Sequence, residues 1–209
     1  MLGQAITTTG LYVAVGASDA VGVGARRPRR EAWPRLVHRQ AFAEARFVNL
    51  SVSGATVASA LAEQAPRAAR LRPDIVTVWL VVNDIVAGVP VDTYEARLDE
   101  LVGRLRRGGA TRVVVANCPY LDRLPAYLLW RSVGVLPDPI EANRIVDTYN
   151  AAIGRAVERH GATLVDLRAA GLAARRAGTE PGLFAADGFH PSTAGHRALA
   201  AAFTAALCS

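Results

Sequence analysis

The stretch from Ile75 to Val82, IVTVWLVV, is an almost unbroken apolar run of strand length. A strand that is apolar on both faces must be covered on both faces, which is the situation of a parallel sheet with helices above and below it. The rest of the chain has the matching periods. Short β-type runs recur over 11–15, 47–50, 112–116 and 162–167, and apolar residues at helical spacing separate them. Trp33, Leu36, Val37 and Ala41 form one helical stripe, and Ala58, Leu61, Ala62, Ala65, Ala68 and Ala69 form a second. Tyr94, Leu98, Leu101 and Leu105 lie on a helix over 92–107 that Gly108 and Gly109 stop. A long helix over 140–160 and a closing helix over 192–207 complete the pattern. Strands alternating with helices in this way imply right-handed crossovers, a mainly parallel five-stranded sheet and an α/β fold, here one domain over 1–209.

Composition narrows the class of function more than the fold. All 24 basic residues are Arg, and the formal net charge is +6. A Lys-free, Ala-rich chain of this kind reflects coding bias. The densest basic cluster, Arg26, Arg27, Arg29 and Arg30, lacks the aromatic interleaving of a nucleic-acid site, so no nucleic-acid partner is expected. The two cysteines, Cys118 and Cys208, have no metal-ligand spacing and cannot build a disulfide scaffold. No metal or cofactor is expected. The first ten residues show neither a basic start nor a long apolar run, and no stretch approaches a membrane span. The expectation is a cytoplasmic protein, or a secreted one if a leader has been removed, that is a monomer or a weak homo-oligomer.

In parallel α/β sheets the working site lies at the carboxyl ends of the strands. Three segments follow strands directly and should converge there: Gly16-Ala17-Ser18, Ser51–Gly54 and Val82-Asn83-Asp84. A serine on a tight, glycine-flanked turn just beyond a strand is held out of the core with its hydroxyl presented. To act as a nucleophile it needs a base, a partner for that base, and donors for the developing oxyanion. Of the four histidines, His38, His160 and His196 fall in or at the end of helices and read as surface or capping residues. His190 lies in a loop three residues after Asp187, a spacing at which an acid can hold the far nitrogen of the ring. The alternative for Asp187 and His190 is a helix-capping loop with an incidental histidine. Donors could come from the backbone N–H groups of Ser18 and Gly54 and from the Asn83 amide. Their plainer readings are a strand-to-helix turn at Gly54 and an ordinary loop start at Asn83-Asp84.

Taken together, Gly16-Ala17-Ser18, Asn49 through Gly54, Asn83-Asp84 and Asp187-x-x-His190 resemble the four blocks of the SGNH hydrolase (GDSL esterase/lipase) superfamily, in family order and over nearly the whole chain. The resemblance implies a three-layer α/β/α sandwich of flavodoxin-like topology. It implies Ser18 as nucleophile, His190 as base, Asp187 as the acid that orients it, and an oxyanion hole from Ser18, Gly54 and Asn83. The activity implied is hydrolysis of small-molecule or lipid acyl esters; an acyltransferase or thioesterase with the same serine, or a silent carbohydrate- or lipid-binding protein, are the alternatives. Two positions depart from the family pattern: Ala17 stands where Asp precedes the serine, and Val81 stands where Gly precedes the Asn block. Asp19, the next polar residue, is then expected to compensate for the missing acid at 17 in fixing the turn. The apolar segment 121–135 carries the candidates for substrate contact, Leu124, Tyr127, Leu128 and Trp130, either as an acyl-binding flap or as a helix packed permanently over the sheet edge.

Overall fold

The computed structural model describes residues 10–208, so the sequence expectation for the extreme N-terminus lies outside the described residues. Five strands form one sheet: β1 (Leu11–Gly16), β2 (Arg46–Asn49), β3 (Ile75–Trp79), β4 (Arg112–Ala116) and β5 (Thr163–Val165). Every neighbouring pair is parallel and the order is β2-β1-β3-β4-β5. This is the flavodoxin-like order, whose switch point lies between β1 and β3, where the crossovers leave in opposite directions and open a crevice beyond the strand ends. The helices that cover the sheet are α3 (Trp33–Ala41), α7 (Val91–Arg106), α9 (Pro139–Arg159) and α11 (Thr193–Cys208), together with α4 (Val57–Ser59) and α5 (Ala65–Leu71). The interior of the sheet is dry: Tyr12, Val13, Ala14, Val15, Val76, Val78, Val113 and Val114 are fully buried. On one side Trp33 of α3 stacks on Phe203 of α11 with ring centroids 4.1 Å apart. On the other, Tyr94 of α7 meets Tyr149 of α9 at 4.9 Å.

Two strands are shorter than their apolar runs. The 75–82 run leaves the sheet after Trp79, because its neighbour β1 ends there and Gly16–Trp79 is the last register pair. Leu80 and Val81 remain buried although they are no longer strand, and Val82–Val86 turns helical as α6. The 162–167 run is strand only over Thr163–Val165, since Asp166 caps a new helix, α10 (Leu167–Arg176), by accepting from Ala169 N–H at 2.9 Å. The apolar stripe over 58–69 is real but not one continuous α-helix. Between α4 and α5 lies a π-helical stretch, Ala60–Gln64, which inserts an extra residue into the helical phase.

Gln64, which ends that stretch, faces inward. Its side chain is 1% exposed and clamps Gly16 from both sides, accepting from Gly16 N–H at 3.0 Å and donating to Gly16 C=O at 3.0 Å. These are the last backbone groups of β1 and they are buried; the C=O also accepts from Val52 N–H at 3.2 Å, so Gln64 completes a set of partners for the strand end. Gly16 itself has no space for a side chain, since a Cβ there would sit 2.8 Å from Ala20 Cβ and 3.3 Å from Trp79 O. Replacing Gln64 by Leu keeps the volume and strips both bonds. The expected cost is about 2–4 kcal/mol, which for a chain of this size lowers the melting temperature by roughly 5–15 °C. A thermal melt of Gln64→Leu within 2 °C of wild type would remove this clamp from the list of determinants.

Candidate active site

Immediately after β1 the chain makes one helical turn, α1 (Ser18–Val21). Ala17 is its cap residue and supplies no side-chain bond, so Ser18 begins a helix whose first N–H groups point outward. Asn49, at the end of β2, fixes the turn by donating to Ala20 C=O at 2.7 Å while accepting from Ser51 N–H at 3.0 Å. The turn is closed by Gly22 and Gly24, both at positive φ. At Gly24 the packing is tight as well, since a Cβ would fall 2.2 Å from Pro191 O in the loop that brings His190.

That loop, residues 183–192, folds back on itself. Ala185 N–H donates to His190 C=O at 2.8 Å and Ser192 N–H donates to Leu183 C=O at 2.8 Å. Ser192 then caps α11, its hydroxyl accepting from Gly195 N–H at 3.1 Å. The result brings together residues far apart in sequence: His190 Nε2 lies 2.9 Å from Ser18 Oγ, and His190 Nδ1 lies 2.6 Å from Asp187 Oδ2. An ionised carboxylate can only accept, so Nδ1 carries the proton and Nε2 is left to accept from the serine hydroxyl. Asp187 is held in that state. Burial works to raise its pKa, but Phe189 N–H, the His190 ring and His190 N–H together keep the carboxyl below its ordinary range.

The expected oxyanion donors fall differently. Asn83 lies at the start of α6 and lines the same cavity as Ser18 and His190. One proton of its amide goes to Ala55 C=O at 2.9 Å, which fixes the side chain and leaves the second proton for the cavity. Its neighbour Asp84 is fully buried and accepts from Val57 N–H, tying α6 to the start of α4; burial raises its pKa. Gly54 is exposed, with φ of 79°, and a Cβ there would meet nothing within 4 Å. Glycine at 54 is therefore required by the backbone angle rather than by crowding. No chain acceptor takes the N–H of Ser18 or Gly54 among the described residues.

Asp19 also lines the cavity, beside the serine. Its carboxylate accepts from Ala20 N–H at 2.7 Å. Burial pushes its pKa up to about 7, against the opposing pull of the Ala20, Asp19 and Ala17 backbone groups. Val81 is a lining residue too. Of the four apolar candidates in 121–135, only Leu124 lines the cavity. The segment forms α8 (Pro125–Ser132), in which Tyr127 is buried and donates to Pro137 C=O at 2.7 Å, while Leu128 and Trp130 are 51% and 43% exposed on its outer side.

The other histidines divide as well. His160 pairs with Asp99 at 3.0 Å at a helix end, and His38 bonds Ala45 C=O at 2.7 Å. His196 is not a surface residue. It is fully buried, its Nε2 donating to Val23 C=O at 3.0 Å and its Nδ1 accepting from Trp33 N–H at 3.4 Å, and burial lowers its pKa. It thus fastens α11 to the turn that carries Ser18. Cys118 is buried, with its thiol pushed up to about 12 by that burial, so it offers no thiolate at neutral pH. Among the described residues no group of three or more His, Cys, Asp and Glu side chains is arranged to hold a metal.

Comparison with known proteins gives the same answer from a different direction. No curated protein sequence matches the chain significantly. Among solved structures, an acetylxylan esterase from Geobacillus stearothermophilus superposes with a TM-score of 0.74 at 22% identity, covering 98% of this chain and 96% of that one. LAE5, an alpha/beta hydrolase enzyme from the metagenome of Lake Arreo, gives 0.70 at 26% identity, with 94% of each chain covered. A psychrotrophic esterase from Pseudoalteromonas sp. gives 0.70 at 18% identity over 94% of this chain and 96% of that one. The GDSL-like lipase/acylhydrolase family model matches residues 14–198, a span that takes in Ser18, Asn83, Asp187 and His190. The chain belongs to the GDSL-like lipase/acylhydrolase family and is a serine ester hydrolase.

Proposed function

We propose that the protein hydrolyses carboxylic esters through an acyl-enzyme on Ser18. The observation behind this is the relay of hydrogen bonds from Ser18 Oγ to His190 Nε2 at 2.9 Å and from His190 Nδ1 to Asp187 Oδ2 at 2.6 Å. His190 takes the serine proton as Oγ attacks the ester carbonyl, and Asp187 stabilises the imidazolium that forms. The tetrahedral oxyanion is received by the Ser18 and Gly54 N–H groups and by the free amide proton of Asn83. Collapse expels the alcohol, protonated by His190, and a water activated by the same ring then releases the acid.

Asp19 gives this site a distinctive pH dependence. Its folded pKa is raised from 3.8 to about 7, so between those values the native chain holds a proton that the unfolded chain has lost. Stability contributed by the neutral carboxyl is therefore complete below about pH 4 and is lost as pH rises towards 7. The displacement corresponds to at most roughly 4 kcal/mol. Above pH 7 the carboxylate also places a negative charge beside the forming oxyanion, which opposes turnover.

Three measurements test this. Ser18→Ala should abolish covalent labelling by a fluorophosphonate probe, and persistent labelling would exclude Ser18 as nucleophile. Asn83→Ala should lower kcat on a chromogenic ester by about 10²–10³ with little change in KM; an unchanged kcat would remove Asn83 from the oxyanion hole. Asp19→Asn keeps the acceptor for Ala20 N–H and cannot ionise. Its melting temperature relative to wild type should be several degrees higher at pH 8 than at pH 5, and a pH-independent difference would show that Asp19 is not the buried acid described.

A further inference from the structure

The cavity at Ser18 does not end at the reacting groups. It encloses about 180 Å³ and runs away from the nucleophile between α10 and α11. Leu167, Ala170, Gly171 and Ala174 line it from α10, at spacings of three, four and seven residues, so they occupy a single face of that helix. Ala198 and Leu199 line it from α11. The α10 face is apolar, yet Leu167 is its only buried residue, and a Cβ on Gly171 would meet nothing within 4 Å. An apolar helix face that the chain covers fully only at Leu167, and that is continuous with Ser18 and His190, leaves room for a ligand to cover the rest.

Resting on the esterase reading above, we propose that the acyl chain of the substrate lies in this slot between α10 and α11, and that the slot selects a medium-length chain of about six carbons. The size follows from volume. A dry apolar cavity of roughly 150 Å³ holds the six carbons of benzene, and the 180 Å³ here also takes in the space at Ser18 and His190, so about six carbons is the upper size. Along α10, the face from Leu167 to Ala174 spans about 10 Å at 1.5 Å per residue. Charged groups border the slot where the α10 face ends, since Arg175 directly follows Ala174. Glu180 lines the cavity but is bound by Arg175, whose Nη2 lies 2.9 Å from Oε1. The Arg168 and Arg175 guanidinium groups both lie against the Tyr120 ring, at 3.8 and 4.7 Å from its centre. An alkyl chain that extended past Ala174 would have to displace water from this paired cluster without replacing its hydrogen bonds, so lengthening stops being favourable there.

The test is two ester series run on the wild-type protein: one varies the acyl chain from acetate to decanoate with a fixed chromogenic alcohol, and the other varies the alcohol with a fixed acetyl group. Each methylene buried in the slot should raise kcat/KM by up to about fourfold, the equivalent of ~0.8 kcal/mol, with a maximum near hexanoate and a fall by decanoate. A flat acyl series, or a steep alcohol series in its place, would overturn the proposal. Ala174→Phe should lower the hexanoate-to-acetate ratio of kcat/KM at least tenfold. A ratio that responds to Trp130→Ala and not to Ala174→Phe would assign the chain to α8 and overturn the slot. Should Ala174→Phe fail to fold, the two wild-type series still decide the matter. Fluorophosphonate labelling of the wild type separates the two levels: a labelled enzyme that cleaves acetate with a flat profile loses only the slot, whereas an unlabelled, inactive protein loses the esterase reading as well.

Discussion

Every feature of the site depends on how the carboxyl edge of the sheet is finished. Parallel strands that end inside a protein leave N–H and C=O groups with no ladder partner and no water, and each such group costs about 1–3 kcal/mol if left so. Here side-chain amides complete the ladder. Gln64 clamps both backbone groups of Gly16, and Asn150 does the same for Cys118, accepting from its N–H at 2.8 Å and donating to its C=O at 2.9 Å. Asn117 extends the scheme to the next connection, donating to Asp166 at 2.9 Å and accepting from Arg168 N–H at 3.1 Å. A side-chain amide suits this position because it presents a donor and an acceptor at once, as the missing strand would. Ser18, the proposed nucleophile, sits two residues beyond the Gln64 clamp, so its placement inherits the rigidity of the sheet rather than of a loop.

His190, the proposed base, arrives from the other end of the chain, and it is held by tethers that lie outside the Ser18–His190–Asp187 relay. His196, one turn into α11, binds both Val23 C=O and Trp33 N–H, which fixes α11 against the α1 turn and the start of α3. The close approach of Gly24 to Pro191 fixes the same two segments one layer nearer the site. On the opposite side Gly188, at positive φ, lets its C=O accept from Ala126 N–H at 3.1 Å, so the loop is also pinned to α8. With both flanks fastened, the 2.9 Å contact between Ser18 and His190 is set before any substrate binds. Preorganisation of this kind is what the proposed roles of Ser18 and His190 require.

Much of this was legible in the sequence because it was written in period and order. Strands with a buried interior announce themselves as apolar runs, and Ser18, Asn83, Asp187 and His190 stand in the order of the family blocks. What was not legible has two physical causes. One is residue type and phase together: Gln64 stands at same-face spacing from Leu61 and Ala68 but is polar, and the π-helical stretch Ala60–Gln64 breaks the regular count, so its burial is not read from the stripe. The other is alanine. In a chain so rich in Ala, a face of Ala170, Gly171 and Ala174 looks the same whether it packs, faces solvent or lines a cavity, and α10 went unrecognised. His196, three residues before Leu199 and seven before Phe203, lies on the inward face that helical spacing marks out, and it was its polar type rather than its phase that pointed to the surface. The 75–82 run was overextended because Leu80 and Val81 are buried without being strand, and burial rather than pairing is what hydropathy reports.

The position of the acid in the nucleophile turn shows how far these constraints reach. Ala17 is buried at the end of β1, against the core. A carboxylate on that residue would need its own set of partners inside the molecule, and the nearest amides, Gln64 and Asn49, are already committed to Gly16 and Ala20. At position 19 the side chain instead faces the cavity and still reaches Ala20 N–H, so one carboxyl both closes the turn and borders the reacting serine. Burial keeps that carboxyl protonated up to about pH 7, and in the proposed reaction a neutral Asp19 withholds the negative charge that would oppose the oxyanion.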